Sequence, residues 1–242
     1  MKKTLDVNLS NKDALIITDI QKDFLPGGAL PIKEGDQIIP ALNEYAKIFS
    51  KAKTKIVASR DWHPSNHISF TAQGGKWPPH CVQETDGAKL SPDLKLPKET
   101  IIVSKATDPI KEAYSVFDGT GLGEDLRSSG VTRIFIGGLA TDYCVVNSTV
   151  DARKLGFAVL VLADATRGID SKPGDVEKAF ATMTKIGAAQ VTLDDFPEPD
   201  PLSGAESSAE VDGDKPLGKS DGKKKARMRP KGSYKRVRTE HG

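Results

Sequence analysis

The sequence predicts an α/β protein with three layers, α/β/α, built on a mainly parallel sheet of six strands. Three observations carry that prediction. Short apolar runs and segments with helical spacing alternate about six times between residues 13 and 196. Such alternation produces a parallel sheet with helices on both faces and right-handed crossovers. Several of the runs are apolar without interruption, among them Ala14-Leu15-Ile16-Ile17 and Ala158-Val159-Leu160-Val161-Leu162, the pattern of strands buried on both faces. Finally, Asp19, Asp61, Lys105 and Cys144 each fall just after the end of an expected strand. Ligands of open parallel sheets bind outside the carboxyl ends of the strands. Residues spread over some 125 positions are therefore expected at one rim.

Taken in order, residues 1–12 are polar and read as a loose lead-in. The run from Asp13 to Ile20 is the first strand, and Asp19 lies at its end. Pro26-Gly27-Gly28 marks a turn. From Asp36 to about Lys53, Ile38, Ile39, Leu42, Tyr45, Ala46 and Phe49 recur at helical spacing. Lys55–Ser59 is the second strand and leads into Arg60 and Asp61. Residues 62–99 have no clear period, yet they hold His63, His67, His80, Cys81 and both tryptophans. A long irregular connection of that composition belongs to a functional loop rather than a disordered one.

Thr100–Ser104 is the third strand, ending at Lys105. A short helix is expected over Leu122–Ser129, stopped by Gly130. Arg133–Gly138 is the fourth strand, followed by a helix from about Thr141 to Leu155 that Gly156 closes. Ala158–Leu162 is the fifth strand, ending near Asp164, which reads as a structural acid or cap. Pro173 suits the first turn of a helix reaching Ile186, with Gly187 beyond it. Gln190–Leu193 is the last strand. The domain is thus expected to span residues 13–196.

Residues 197–242 change character. Pro197-Glu198-Pro199-Asp200-Pro201 breaks any element, and residues 202–242 lack Ile, Phe and Trp, a composition that predicts disorder. Residues 201–242 carry 11 Lys or Arg against 6 Asp or Glu, whereas residues 1–200 carry 24 against 27. The basic run Lys223–Lys231, continued by Lys235-Arg236-Val237-Arg238, is suited to phosphates of nucleic acid or to another acidic surface. Tyr234 is its only aromatic. The plainer alternative is a solvated extension.

The chain contains no GxGxxG and no GxxxxGK[ST] pattern, which removes the usual signals of dinucleotide or triphosphate binding. No run of about 18 apolar residues argues for a membrane span. The first residues lack the apolar core of a signal peptide. Two cysteines, Cys81 and Cys144, do not make a disulfide scaffold, so a cytoplasmic location is expected.

Cys144 is placed in the first turn of its helix. Free N–H groups and the helix dipole there stabilise a thiolate and can hold an oxyanion. Gly137 and Gly138 would let the backbone approach a substrate. Asp19 supplies a base and Lys105 a cation that lowers the thiol pKa. A lone cysteine is otherwise an ordinary buried residue; the other rim residues tip the balance. Asp61, His63 and His67 offer a carboxylate and two imidazoles within one loop, with His80 further along, a set that suits Zn first, with Fe or Mn as alternatives. Surface loop histidines are the competing reading. Cys81 is expected to be packed and unligated.

Several stretches occur together in order: Asp19-Ile-Gln-Lys-Asp-Phe24, Ser59-Arg-Asp-Trp-His63-Pro-Ser-Asn-His67-Ile-Ser-Phe70, Trp77-Pro-Pro-His80-Cys-Val82, Lys105, and Gly138-Leu-Ala-Thr-Asp-Tyr-Cys144-Val145. With them the chain resembles the isochorismatase-like cysteine hydrolases, and among these the branch that hydrolyses nicotinamide. The resemblance implies Asp19, Lys105 and Cys144 as a catalytic triad and Asp61, His63 and His80 as ligands of one divalent metal. It leaves His67 open between a further ligand and a histidine behind the site. It also implies a cis peptide between Leu139 and Ala140, an oxyanion held by the N–H groups of Ala140 and Cys144, and a substrate ring between Phe24 and Trp77. Leu30 and Tyr114 match further positions of the pocket lining.

The implied reaction converts nicotinamide to nicotinate and ammonia through a Cys thioester, in NAD salvage. An isochorismatase proper is disfavoured, because its ether hydrolysis uses no Cys nucleophile and leaves the metal loop unexplained. The alternatives are another small-amide or carbamoyl hydrolase, or a catalytically silent metal-binding protein with a nucleic-acid-binding tail. A homo-oligomer is left open.

Overall fold

Alternation within single strands builds the layers. The computed structural model describes residues 6–197. Strand β1 (Asp13–Thr18) is buried along its whole length. Leu15 and Ile17 join one apolar core, while Ala14 and Ile16 join another. Successive side chains of a strand point to opposite faces, so an unbroken apolar run needs a helical layer on each side.

One layer is α1 (Ile39–Lys51), whose Leu42, Tyr45, Ala46 and Phe49 pack with Leu15, Ile17 and Phe135. The other comprises α2 (Leu122–Ser128), α3 (Val146–Lys154) and α4 (Asp175–Lys185), through Leu122, Leu126, Ala152 and Met183. Each large apolar side chain buried in this way stabilises the fold by about 1.5–3 kcal/mol.

The sheet contains β1, β2 (Lys55–Asp61), β3 (Ile101–Lys105), β4 (Arg133–Leu139), β5 (Ala158–Arg167) and β6 (Ala189–Val191), in the order β3-β2-β1-β4-β5-β6. Every pairing is parallel. All six carboxyl ends therefore share one rim. The chain reverses its direction of progress across the sheet between β1 and its neighbours β2 and β4, the crevice where ligands of such sheets bind.

Boundaries moved where tertiary contacts outweigh local pattern. The first helix starts as a 3₁₀ turn, Gly35–Ile38, and becomes α-helical at Ile39, with Pro40 in the first turn, where a missing N–H costs nothing. Strand β2 continues to Asp61 because Asp61 pairs with Lys105. Strand β5 runs to Arg167, past the expected end at Leu162. Ile136 pairs with Val161 but Gly138 with Thr166, so β5 bulges between them. Asp164 lies in that bulge. It accepts hydrogen bonds from Tyr45 Oη at 2.7 Å and from the Leu193 N–H at 3.0 Å, in keeping with its reading as a structural acid. The last strand is only three residues long, and Leu193–Asp195 turns into a 3₁₀ segment closed by a Thr192–Asp195 capping box.

The lead-in is not loose throughout. Val7 is buried and its N–H donates to Asp195 O at 2.8 Å, since an apolar side chain next to an open core edge gains by docking there. The basic tail expected over 197–242 lies, except for Pro197, outside the described residues. Among the described residues, no helix is long and apolar enough to cross a membrane.

Candidate active site

At the carboxyl rim one ammonium gathers the charged groups. Lys105, at the end of β3, is 1% exposed. Its Nζ lies 2.5 Å from Asp61 Oδ1, 3.0 Å from Asp19 Oδ2 and 3.4 Å from Cys144 Sγ. A buried charge is tolerated only when it is paired, and two carboxylates and a thiol meet this need. Burial pulls the Lys105 pKa down, but Asp19 and Asp61, with Cys144 behind them, hold it well above its usual value.

Asp19 follows β1 with φ 51°, a left-handed conformation that Asp adopts more readily than most residues. Its Oδ1 accepts a hydrogen bond from Ser59 Oγ at 2.6 Å. Its buried Oδ2, although close to Lys105, has no partner in good hydrogen-bond geometry among the described residues. The Cys144 thiol is near enough to help stabilise the Asp19 carboxylate. A ligand atom of each lies within 4.8 Å of the other, and of Asp61.

Cys144 does not begin an α-helix, as the sequence predicted. It sits in a π-turn, Thr141–Val145, that precedes α3. The N–H groups of Tyr143 and Val145 both donate to Ala140 O, at 3.1 and 3.0 Å. A cis peptide joins Leu139 to Ala140. Such single π-turns recur at functional sites.

Gly138 has φ 111°, and a Cβ there would run into Thr18 O. The glycine thus serves close packing of β4 on β1 rather than approach to a substrate, and Gly137 packs likewise against Ala165 O. The expected lowering of the Cys144 pKa is also corrected. Burial pushes the thiol up against the opposing pull of Lys105, and Asp19 and Asp61 add to the rise. Burial likewise raises Asp19, again against Lys105. A thiolate beside two carboxylates would leave one ammonium facing three buried anions. That crowding of like charge opposes loss of the thiol proton.

Asp61, His63 and His80 each bring a ligand atom within 4.8 Å of the others. His80 Nδ1 donates to Pro78 O at 2.8 Å, which leaves Nε2 with its lone pair. Burial, followed by His80 and His67, pushes His63 down to about 2, so its imidazole is neutral. Its buried Nδ1 has no hydrogen-bond partner among the described residues. Two imidazoles and a carboxylate whose ligand atoms converge in this way fit a divalent metal with coordination positions left open.

His67 does not share the cradle. Its Nδ1 meets Ser69 Oγ at 2.7 Å and its Nε2 donates to Lys111 O at 3.1 Å. With both nitrogens engaged, it packs behind His63, the ring centroids 4.3 Å apart. Cys81 is buried in the core with φ 46°, and burial raises its thiol pKa. Asp23 Oδ2 accepts its N–H at 2.7 Å.

Phe24, Leu30, Trp77, Tyr114 and Ala140 all line one pocket with Cys144, Asp61 and His80. Ile32, Tyr143 and Ile169 complete it and were missed in the sequence. Tyr143 adjoins Cys144, and Ile169 follows the end of β5, so the strand-end argument could have found both. Half-buried Trp77, Tyr114 and Tyr143 form the outer wall, with Trp77 Nε1 donating to Tyr114 Oη at 3.1 Å. Lys76 Nζ lies 4.4 Å above the centres of both the Trp77 and Tyr143 rings. A larger cavity of about 420 Å³ lies near the opposite ends of β2 and β3, between Ser50 and Ile101. It contains none of these residues, and the cluster of titratable groups, not volume, marks the site.

The Isochorismatase domain family matches residues 13–195. Nicotinamidase of Escherichia coli (strain K12) is 36% identical over 206 residues, which cover 76% of this chain and 97% of that protein. Among solved structures, the pyrazinamidase of Pyrococcus horikoshii in complex with zinc is similar at 52% identity and a TM-score of 0.72, covering 75% of this chain and 99% of the other. PnC1 from L. infantum in complex with nicotinate is similar at 36% identity and a TM-score of 0.74, covering 80% and 99%.

Proposed function

This chain belongs to the isochorismatase domain family, and from that premise we propose that it hydrolyses nicotinamide to nicotinate and ammonia through a thioester on Cys144. The observation that carries the reading is the contact of one buried ammonium, Lys105, with both Asp19 and Cys144 at the base of an aromatic-lined pocket. Thiol, carboxylate and cation are the three parts that a cysteine amidase needs.

In the proposed reaction, Asp19 takes the Sγ proton as the sulfur attacks the carboxamide carbon. The ammonium of Lys105 offsets the charge on both partners. The N–H groups of Ala140 and Cys144 receive the developing oxyanion. Asp19 returns the proton to the leaving nitrogen, ammonia departs, and the acyl group remains on Sγ. Water then enters and loses a proton to Asp19 as it attacks the thioester. The C–S bond breaks, Asp19 passes that proton to Sγ, the thiol is restored, and the acid leaves and ionises to nicotinate. Because burial raises both the Asp19 and Cys144 pKa values, the proton needs to move only between two neighbours, and no free thiolate has to persist.

Asp61, His63 and His80 would hold the divalent metal, with Zn preferred and Fe or Mn as alternatives. When bound, it supplies a Lewis-acidic anchor that orients the pyridine ring. Phe24 and Trp77 would flank that ring, as aromatic faces and edges prefer, with Leu30 and Tyr114 beside them. The same machinery accepts another small amide if the ring contacts are replaced. Residues 13–196 would form the catalytic domain. The basic segment 197–242 is assigned a solvated role in a cytoplasmic protein, and nucleic-acid binding that weakens with salt would reassign it.

The test is ammonia release from nicotinamide by zinc-loaded protein, beside a Cys144→Ala control. Cys144→Ala is expected to lose about 10⁴-fold or more of the rate while still folding. Full turnover in that variant would sink the reading. Release only from a different amide would keep the chemistry and change the substrate.

A further inference from the structure

Strand β1 pairs with β2 only as far as Ile17 and Ala58, with Asp19 N–H reaching Ser59 O at 3.2 Å. Beyond that point β1 has left the sheet, while β2 continues to Asp61. Asp61 pairs with Lys105 of β3, and Trp62 N–H donates to Lys105 O. In a parallel ladder, alternate residues address opposite neighbours, so the N–H and C=O of Asp61 face the side that β1 has vacated. Both groups are deep in the protein, where an unpaired backbone group is costly.

The side chain of Gln21 fills the missing ladder. Gln21 is 0% exposed. Its Oε1 accepts the Asp61 N–H at 2.7 Å, and its Nε2 donates to Asp61 O at 2.7 Å. Nε2 also donates to Ala88 O at 2.9 Å, which ties in the loop that follows the His80 segment. The Gln21 backbone N–H donates to Asp19 O at 2.8 Å. One amide thus links the peptide of a metal-cradle residue to the turn that carries Asp19. The Asp61 carboxylate carried on that backbone is paired with Lys105 at 2.5 Å while keeping its other oxygen 3.8 Å from His63 Nε2 across the cradle. A small rotation of the peptide would spoil both.

We propose that Gln21 is a positioning residue for metal binding: by holding both backbone groups of Asp61 it aims the Asp61 carboxylate at the metal cradle. The inference rests on the reading of Asp61, His63 and His80 as metal ligands. Supporting groups behind a metal ligand commonly govern affinity as well as activity.

The experiment is a competition titration of zinc against a chromophoric chelator, using full-length metal-free protein and circular dichroism as the check on folding. Gln21→Met, similar in size but without hydrogen-bonding groups, is expected to bind zinc roughly 10–100-fold more weakly. In an Asp61→Ala background the same change should weaken binding no further, because a residue that acts through Asp61 loses its effect when that carboxylate is gone. Wild-type zinc affinity in folded Gln21→Met overturns the proposal, and so does an equal loss in the Asp61→Ala background. Should Gln21→Met not fold, Gln21→Glu, which keeps the shape and an acceptor for the Asp61 N–H, is measured in its place by the same criteria. His80→Ala separates the two levels of argument. Undiminished zinc binding in that variant refutes the cradle itself, whereas loss there with retention in the Gln21 variant refutes only the role of Gln21.

Discussion

The two ends of β1 each carry a buried aspartate facing a cation, and they are built differently. Asp13 begins the strand and faces Arg133, which grips it with Nε at 2.6 Å from Oδ1 and Nη2 at 2.8 Å from Oδ2. Ser10 adds a backbone N–H at 2.6 Å, and the Arg133 side chain is 31% exposed. All lone pairs facing donors there are used, in the two-pronged geometry that favours Arg–carboxylate pairs. Asp19, just past the other end, faces a fully buried Lys105, which it shares with Asp61 and Cys144. One of its oxygens has no hydrogen-bond partner of good geometry among the described residues. An acid that only holds the fold is saturated with donors, whereas an acid that is to accept a proton keeps a place for it. Burial without full satisfaction is what raises the Asp19 pKa.

Substituting each acid by its amide should separate the two roles. Asp19→Asn is expected to lower kcat/KM about 10²–10⁴-fold, the usual worth of a general base, with little loss of stability. The sign follows from linkage: with its folded pKa raised, Asp19 binds its proton more tightly in the folded than in the unfolded state, so its ionised form at neutral pH opposes folding. Removing that charge does not cost the fold this term. A melting temperature that collapsed while the residual rate stayed high would reverse the assignment.

Asp13→Asn should show the mirror image. Breaking the Arg133 fork and weakening the Ser10 contact is expected to cost about 1–3 kcal/mol in denaturant unfolding, with kcat/KM within about twofold of wild type. A large activity loss there would mean that the two ends of β1 are coupled, and the comparison would fail.

The smallest effect is expected at an exposed pair, Lys22 with Asp86, 2.7 Å apart. Hydrogen bonding to Lys22 and Lys89 lowers the Asp86 pKa, so any contribution exists above the unfolded carboxylate range and fades as pH falls through it. Solvent screens such pairs. Lys22→Ala should leave the melting temperature at pH 7 unchanged within error, and raising the salt should not separate variant from wild type.

Much of this architecture was legible because it is written locally. Uninterrupted apolar runs require two covering layers, helical spacing supplies them, and parallel strands bring their carboxyl ends to one rim. That chain of reasoning was enough to expect Asp19, Asp61, Lys105 and Cys144 as neighbours. The loop histidines were visible as a donor set, although only the fold separates His63 and His80, whose lone pairs are available, from His67, whose two nitrogens Ser69 and Lys111 engage.

Sequence periodicity alone thus determined the class of fold, the order of its elements and the edge on which the chemistry-bearing residues lie. Tertiary structure alone decided that Cys144 rides a π-turn, that β5 bulges at Asp164, that Val7 is pinned by Asp195, and that Gln21 completes a ladder which β1 has left. It also decided the direction of the thiol pKa. Periodicity is set by neighbours three or four positions apart. Burial, strand register and the net charge around a sulfur atom are set by residues far along the chain, from Arg133 against Ala158 to Val7 against Asp195, and their sum exists only once the chain has folded.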